Sequence, residues 1–127
     1  MRKHQIKIGI VGAGKTGKYL IEQLDKMAFI KIVLIADIDP AAPGVIYAKL
    51  RDIPVTTDFM DIARLGKKVD IIIDVTSKPE VRIGLRGHML ETENRHTIIV
   101  TELVAILLMS MAKGELAESF HGYHGYA

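Results

Sequence analysis

The sequence feature that most constrains the fold is GIVGAGKTG at residues 9–17, a glycine-rich turn between two patterned segments. The β-branched run at residues 6–11 predicts a strand that leads into the turn. Apolar residues recur at helical spacing after it, at Leu20, Ile21, Leu24, Met27 and Ala28. Gly12, Gly14 and Gly17 have the spacing G-x-G-x-x-G, which is typical of a strand–turn–helix unit that binds the pyrophosphate of a dinucleotide.

The same stretch also fits a second phosphate-binding pattern. Residues 9–16, GIVGAGKT, have the P-loop spacing, in which Lys15 and Thr16 reach the terminal phosphates and Mg²⁺ of a nucleoside triphosphate. A P-loop requires the strand to end before Gly9, which would expose the two apolar residues that follow. The dinucleotide pattern keeps both residues in the strand and is therefore favoured. A Mg-NTPase stays as the alternative, because residues 71–74, IIID, resemble the apolar strand and Asp that hold Mg²⁺ in P-loop enzymes.

An acid stands where a dinucleotide site needs one. Asp37 ends a second apolar run and lies 20 residues after Gly17, which is the spacing expected of the carboxylate that accepts hydrogen bonds from the adenosine ribose. A carboxylate there favours a free 2′-hydroxyl and repels a 2′-phosphate, so NAD is the predicted cofactor. NADP stays possible, because Lys15 and Lys18 lie in or beside the turn and can contribute charge.

Strand-like and helix-like segments alternate about five times, which predicts an α/β fold: a Rossmann-type, doubly wound parallel sheet in a single domain. We expect the domain at residues 1–114 and a flexible C-terminal tail at 115–127. The predicted strands are 6–11, 31–37, 53–55, 69–75 and 96–100. Residues 77–80, SKPE, predict a capping box that opens a helix. The last helix, residues 102–113, is apolar on nearly every face and is expected to be buried, either in the core or at an interface.

Composition narrows the function class. The formal net charge is +2 with scattered basic residues, so nucleic acid is not an expected partner. Cysteine is absent, which excludes a disulfide scaffold, a thiolate nucleophile and a cysteine-based zinc site. The longest apolar stretch is well under the ~20 residues of a membrane span, and the beginning of the chain is too polar for a signal peptide. We therefore expect a cytoplasmic protein without a membrane partner.

Three segments carry a resemblance to a known group: IGIVGAGKTGKYLIEQL, LIADIDP and IIIDVTSKP. Over about residues 5–100 the chain resembles the N-terminal dinucleotide-binding domain of the dihydrodipicolinate reductase, aspartate dehydrogenase and homoserine dehydrogenase group. The resemblance implies that Asp37 holds the ribose. It also implies a pyrophosphate cradle and a turn beside the nicotinamide end, formed respectively by Gly12, Ala13, Gly14, Lys15, Thr16 and Gly17 and by Thr76, Ser77 and Lys78.

The departure from this group shapes the functional expectation. Its enzymes carry a second, substrate-binding domain, whereas only 27 residues follow Val100. We expect an NAD(P)-binding, oxidoreductase-like domain that acts as a nucleotide-responsive module or as a dehydrogenase subunit or fragment. The alternative is an active small NAD-dependent dehydrogenase whose pocket is built across a homodimer through the last helix. The missing cysteine argues against a resemblance to acylating acetaldehyde dehydrogenase, which needs a thiolate.

Histidines give no catalytic or metal site in the sequence. His88 and His96 show no carboxylate partner and are expected to be surface or helix-terminal residues. His121 and His124 lie in the glycine- and tyrosine-containing tail without a third ligand, so no metal site is predicted there. Catalytic residues stay unassigned.

Overall fold

A computed structural model describes residues 4–117 of the chain. Five strands and five helices alternate along it, with a 3₁₀ turn at Gly66–Lys68 before the fourth strand. The elements are β1 (Ile6–Val11), α1 (Lys15–Asp25), β2 (Ile30–Ala36), α2 (Pro43–Leu50), β3 (Val55–Thr56), α3 (Met60–Ala63), β4 (Ile71–Asp74), α4 (Pro79–Glu91), β5 (Ile98–Val100) and α5 (Glu102–Lys113).

The strands form one parallel sheet in the order β3-β2-β1-β4-β5. Side chains of α1, α2 and α5 share one core cluster, and side chains of α3 and α4 share the other, so the helices cover both faces. The chain reverses its direction of travel between the neighbouring strands β1 and β4. This strand order, with its switch point at β1 and β4, is that of the Rossmann fold. The predicted fold class is confirmed.

Isoleucine is the most frequent residue of the core, because strands covered on both faces need apolar side chains on each. Ile8 and Ile10 point into the α1 side, whereas Val11 points into the α3 side. The pairing of β1 with β2 shifts by one residue after Ile8, which leaves Val33 as the extra residue of a bulge. Because of the bulge, paired residues of the two strands face the same side of the sheet up to their carboxyl ends.

Two glycines make the turn after β1 possible. Gly12 has φ of 102°, in the left-handed region that favours glycine. Gly17 lies where helix α1 passes directly over that turn, and a Cβ on Gly17 would overlap the carbonyl oxygen of Gly12. Because neither position accepts a side chain without strain, the spacing of these glycines fixes the angle at which α1 leaves the sheet.

The predicted burial of α5 is only half right. Its inner side chains, Ala105, Ile106 and Met109, pack in the core. On the outer side Leu107 is 56% exposed and Met111 is 73% exposed. The sheet ends at β5, so among the described residues α5 has a neighbouring layer on one side only.

Other expectations are refined at the ends of elements. Strand β3 is shorter and lies later than residues 53–55. At the start of α3, which is only four residues long, the Asp58 carboxylate accepts a hydrogen bond from the Met60 N–H. Of the predicted tail, residues 115–117 are described, and Ala117 is buried with its N–H donating to Ser110 Oγ. The tail histidines lie outside the described residues. No helix within residues 4–117 has the length and apolar character to cross a membrane.

A side-chain pair at the amino end of the sheet corrects the expectation for His96. Its Nε2 lies 2.6 Å from Asp70 Oδ1, so it does have a carboxylate partner. The other oxygen of Asp70 accepts a hydrogen bond from the Lys7 N–H. That backbone hydrogen bond, and then His96, lower the pKa of Asp70 below its ordinary value. The pair links the starts of β1, β4 and β5, far along the chain from one another.

Replacing Gly17 with alanine should destabilise the fold by about 1–3 kcal/mol, because the added methyl group overpacks the crossing of α1 over the turn. Gly87→Ala is the matched control. Gly87 lies inside α4, where a Cβ would meet no heavy atom within 4 Å, so the higher helix propensity of alanine should stabilise the protein by about 1 kcal/mol. Urea unfolding of both variants measures the two changes in the free energy of unfolding. If both changes had the same sign, the close contact of α1 with the turn would not explain the effect at Gly17.

Asp70→Asn should lower the free energy of unfolding at pH 7 and weaken its dependence on acid. Because the folded-state pKa of Asp70 is depressed, its stabilising contribution is present above the unfolded pKa of about 3.9 and is lost as the pH falls through the folded pKa. The two curves should therefore converge below about pH 4. Urea unfolding from pH 7 to 3 tests this, with Asp52→Asn as a control away from the pair.

Candidate functional site

The carboxyl ends of β1, β2 and β4 meet at one edge of the sheet, beside the switch point where open α/β sheets bind ligands. A pocket opens there between the glycine turn and the turns that follow β2, β3 and β4. It is lined by Val11, Gly12, Ala36, Asp37, Ile38, Thr57, Phe59, Thr76, Lys78 and Val81. Four of the residues predicted from the sequence, Gly12, Asp37, Thr76 and Lys78, are thus brought together.

The glycine turn presents backbone to the pocket. Gly12 donates its N–H to the Ala36 carbonyl, which joins the turn to the end of β2. A Cβ on Gly14 would meet no heavy atom within 4 Å, so the space beside the start of α1 is open. The positive end of a helix dipole at such a position favours an anionic group. The arrangement suits a phosphate placed at Gly14.

The P-loop alternative does not fit this geometry. Gly9, which would start the phosphate loop, lies inside β1 and pairs with Leu34 and Ile72 on either side. Thr16, whose hydroxyl would reach Mg²⁺, is only 1% exposed, while Lys15 at the first helical position is exposed. The loop between strand and helix is therefore three residues long and is too short to wrap a triphosphate in the P-loop manner.

Asp37 is held at the mouth of the pocket by two backbone groups. Its Oδ2 accepts the Ala13 N–H at 2.8 Å, and its Oδ1 accepts the Asp39 N–H at 2.8 Å. Both bonds fix the rotamer, and each oxygen keeps a further acceptor site. The carboxylate is therefore oriented and still able to accept hydrogen bonds from a ligand's hydroxyl groups. The neighbouring Ile38 is 75% exposed and forms an apolar lip.

The turn after β4 is fixed by the buried carboxylate of Asp74. Its Oδ1 accepts the Thr76 N–H at 2.9 Å and the Thr76 hydroxyl at 2.6 Å. The Lys78 N–H donates in turn to Thr76 Oγ1. Asp74 thus shapes the turn that places Thr76 and Lys78 in the pocket, a role different from the Mg²⁺ ligand of the P-loop alternative. Within residues 4–117, side chains of metal-binding type form no cluster of three.

Ser77 differs from its predicted roles. Its φ of 58° lies in the left-handed region, and its hydroxyl donates to Glu102 Oε2 at 2.7 Å. The predicted capping box is therefore wrong: Lys78 occupies the cap position of α4 without a side-chain hydrogen bond, because the Ser77 hydroxyl is directed to the start of α5. Ser77 does not line the pocket with Thr76 and Lys78.

Glu102 and Phe59 are site-forming residues that the sequence reasoning missed. Glu102 is 4% exposed and links α5 to the turn after β4. Its position at the first turn of a helix that follows a strand is the signal that could have identified it. Phe59 supplies the aromatic wall of the pocket, and its ring packs on α4 where a Cβ at Gly84 would lie 3.2 Å away. The sequence gives no local signal for that contact.

Comparison with known proteins agrees with this geometry. No family model matches the chain. A curated relative, the acetaldehyde dehydrogenase of Chloroflexus aurantiacus, is 34% identical over 92 residues, which cover 69% of this chain and 30% of the relative. The inference that the missing cysteine argues against this resemblance was wrong, since the two sequences match over 92 residues although this chain has no cysteine. The chain spans about 30% of the length of the curated relatives that it matches.

Solved structures share the fold at low sequence identity. S. aureus homoserine dehydrogenase has a TM-score of 0.61 at 17% identity, covering 87% of this chain and 30% of that one. GenD2 from gentamicin A biosynthesis, in complex with NAD, has a TM-score of 0.60 at 15% identity, covering 90% and 34%. Lactobacillus casei scyllo-inositol dehydrogenase with bound NAD(H) and scyllo-inositol has a TM-score of 0.56 at 18% identity, covering 87% and 33%. The predicted resemblance to dehydrogenase Rossmann domains is confirmed.

Ser77→Ala should be more destabilising than Ser77→Gly by about 1 kcal/mol. Both variants remove the hydroxyl that donates to Glu102, but only glycine relieves the left-handed conformation, whose cost for an L-residue is about 1–2 kcal/mol. Urea unfolding of the two variants measures the difference. Equal stabilities, or a more stable alanine variant, would show that the turn does not hold Ser77 in that conformation.

Proposed function

We propose that this chain binds NAD(H) as an oxidoreductase-like cofactor domain. The observation that carries the proposal is the carboxylate of Asp37, fixed by the Ala13 N–H at the mouth of a pocket that the glycine turn also lines. One residue thereby reads a ribose beside the place where a pyrophosphate would lie. The dehydrogenases that share the fold, two of them with NAD or NAD(H) bound, support this proposal.

Each part of the ligand has a counterpart in the site. The pyrophosphate lies over Gly14 at the start of α1, where the open space admits close backbone approach and the helix dipole favours negative charge. The adenosine ribose donates its hydroxyl groups to Asp37. Lys78 adds positive charge at the pocket wall, and Thr76 shapes it. Lys15 and Thr16 contribute through the first turn of α1 rather than through Mg²⁺.

The site favours NAD over NADP. A 2′-phosphate would bring negative charge against the Asp37 carboxylate, and the residues directly after it, Ile38, Asp39 and Pro40, provide no cation to neutralise it. Like charges in hydrogen-bonding distance repel strongly where water is partly excluded. NADP binding would require Lys15 or Lys18 to compensate.

We further propose that the domain serves as a nucleotide-responsive module or as a subunit or part of a dehydrogenase. Its likeness to about a third of the length of several dehydrogenases favours that role. The alternative is an active dehydrogenase whose pocket is completed across a homodimer. The exposed Leu107 and Met111 on α5 favour an interface, which light scattering after gel filtration would reveal as twice the mass of a single chain.

Asp37→Ala should weaken NAD binding by about 10- to 100-fold, which corresponds to the ~1.5–3 kcal/mol typical of hydrogen bonds to a charged group. NADP should gain relative to NAD, because the repelling carboxylate is gone. Isothermal titration with NAD, NADH, NADP and Mg-ATP measures both effects. Asp52→Asn, at an exposed acid that does not line the pocket, is the control and should leave NAD affinity unchanged.

Two outcomes would contradict the proposal. Binding of Mg-ATP that is lost in Lys15→Ala, without binding of any dinucleotide, would favour the P-loop alternative despite the strand position of Gly9. Equal NAD affinity in the wild type and in Asp37→Ala would remove Asp37 from the site.

A further inference from the structure

The pocket is sized for one part of a dinucleotide. Its volume is about 90 Å³, whereas pockets that bury a drug-sized ligand measure roughly 300–1,000 Å³. A single ring system fits such a space with the rest of the ligand lying along the open edge. Asp37 lines the same pocket as this space, so the ring would lie next to the ribose that Asp37 is proposed to bind.

Apolar side chains form the walls around that space. Ile38 covers it from the end of β2, Val81 from the first turn of α4, and Phe59 from the segment between β3 and α3. A planar base buried between aliphatic groups and an aromatic ring gains both apolar burial and stacking. The chemistry of the walls is therefore that of a purine site.

Phe59 is held in place from two sides. Its ring packs against Gly84 of α4, where a Cβ would lie 3.2 Å from the ring edge, closer than ordinary van der Waals contact. The residues around Phe59 in the chain are tied together by Arg64, whose Nη1 lies 3.0 Å from Asp58 Oδ2 and 2.9 Å from Asp61 Oδ1. The Thr56 hydroxyl donates to the second oxygen of Asp61. This segment is fixed at both ends, so the aromatic wall is formed before a ligand arrives.

The turn expected at the nicotinamide end contributes to this same pocket. Thr76 and Lys78 line it together with Asp37, while the hydroxyl of Ser77 is engaged by the buried Glu102. The side chains that this turn offers to a ligand therefore lie on the adenosine side. Two of the three residues expected at the nicotinamide end thus line the same pocket as Asp37.

We propose that the site recognises the ADP-ribose moiety, with Phe59 stacking on the adenine, and that it binds NAD, NADH and free ADP-ribose with nearly equal affinity. The inference rests on the proposed function and extends it: the domain senses the adenine dinucleotide pool, or any ADP-ribosyl compound, without reading the redox state of the nicotinamide. The domain would thus bind compounds that contain ADP-ribose in general, and not only the oxidised and reduced forms of NAD.

Isothermal titration of the full chain with NAD, NADH, ADP-ribose and nicotinamide mononucleotide tests the proposal. We expect dissociation constants of the first three within about threefold of one another, and binding of the mononucleotide that is at least about 100-fold weaker. NAD or NADH binding more than tenfold tighter than ADP-ribose would overturn this inference and leave the proposed function intact. Failure of all four ligands to bind would overturn both.

Variants of Phe59 test the stacking separately. Phe59→Ala should weaken ADP-ribose and NAD alike by about tenfold, within the range of ~1–3 kcal/mol for a base stacked on an aromatic side chain. Phe59→Leu keeps an apolar side chain and is therefore expected to fold normally, which an unchanged circular dichroism spectrum would show. Its affinity for ADP-ribose and NAD should fall less than that of Phe59→Ala. Phe29→Ala, which removes an exposed aromatic away from the pocket, is the matched control. Unchanged affinity in folded Phe59→Ala would exclude the adenine wall.

Discussion

The contact between helix α1 and the turn after β1 is the constraint on which the rest of the structure depends. Helix and turn come so close that a methyl group at Gly17 would occupy the place of the Gly12 carbonyl oxygen. This approach sets the direction of α1, and so sets where its positive end points. It also leaves Gly12 free to donate to Ala36 at the end of β2. The edge of the sheet is thus organised by two residues that have no side chain.

Charged and polar side chains then turn this backbone edge into a site. Asp37 accepts the Ala13 N–H, so the same carboxylate that faces the pocket also braces the glycine turn. Asp74 braces the turn after β4 in the same way, since its carboxylate accepts both the N–H and the hydroxyl of Thr76. In both cases the carboxylate of an acid at the end of a strand fixes a turn by accepting hydrogen bonds from its backbone. The proposed ligand site and the local fold therefore share the same hydrogen bonds.

The sequence predicted the parts of the molecule that are governed by local chemistry. The strand β1, the glycine turn and the position of Asp37 after β2 were predicted because spacing and residue type determine them, whereas the hydrogen bond from the Ala13 N–H to Asp37 was not predicted. Contacts between distant segments were not predicted. The hydroxyl of Ser77 has a nearby glutamate at a capping-box distance, but it bonds Glu102, which is 25 residues away, because the parallel sheet brings the ends of β4 and β5 together. His96 and Asp70 meet for the same reason at the opposite edge.

The contact between Phe59 and Gly84 shows how such distant contacts shape the pocket. Glycine inside a helix costs about 1 kcal/mol relative to alanine, so from the sequence alone Gly84 only weakens α4. In the fold, the missing side chain admits the ring of Phe59 at the wall of the pocket. Gly87, one turn later, faces open space and provides no such room. The stability given up at Gly84 therefore has a structural counterpart, because the missing side chain makes room for an aromatic ring at the wall of the pocket.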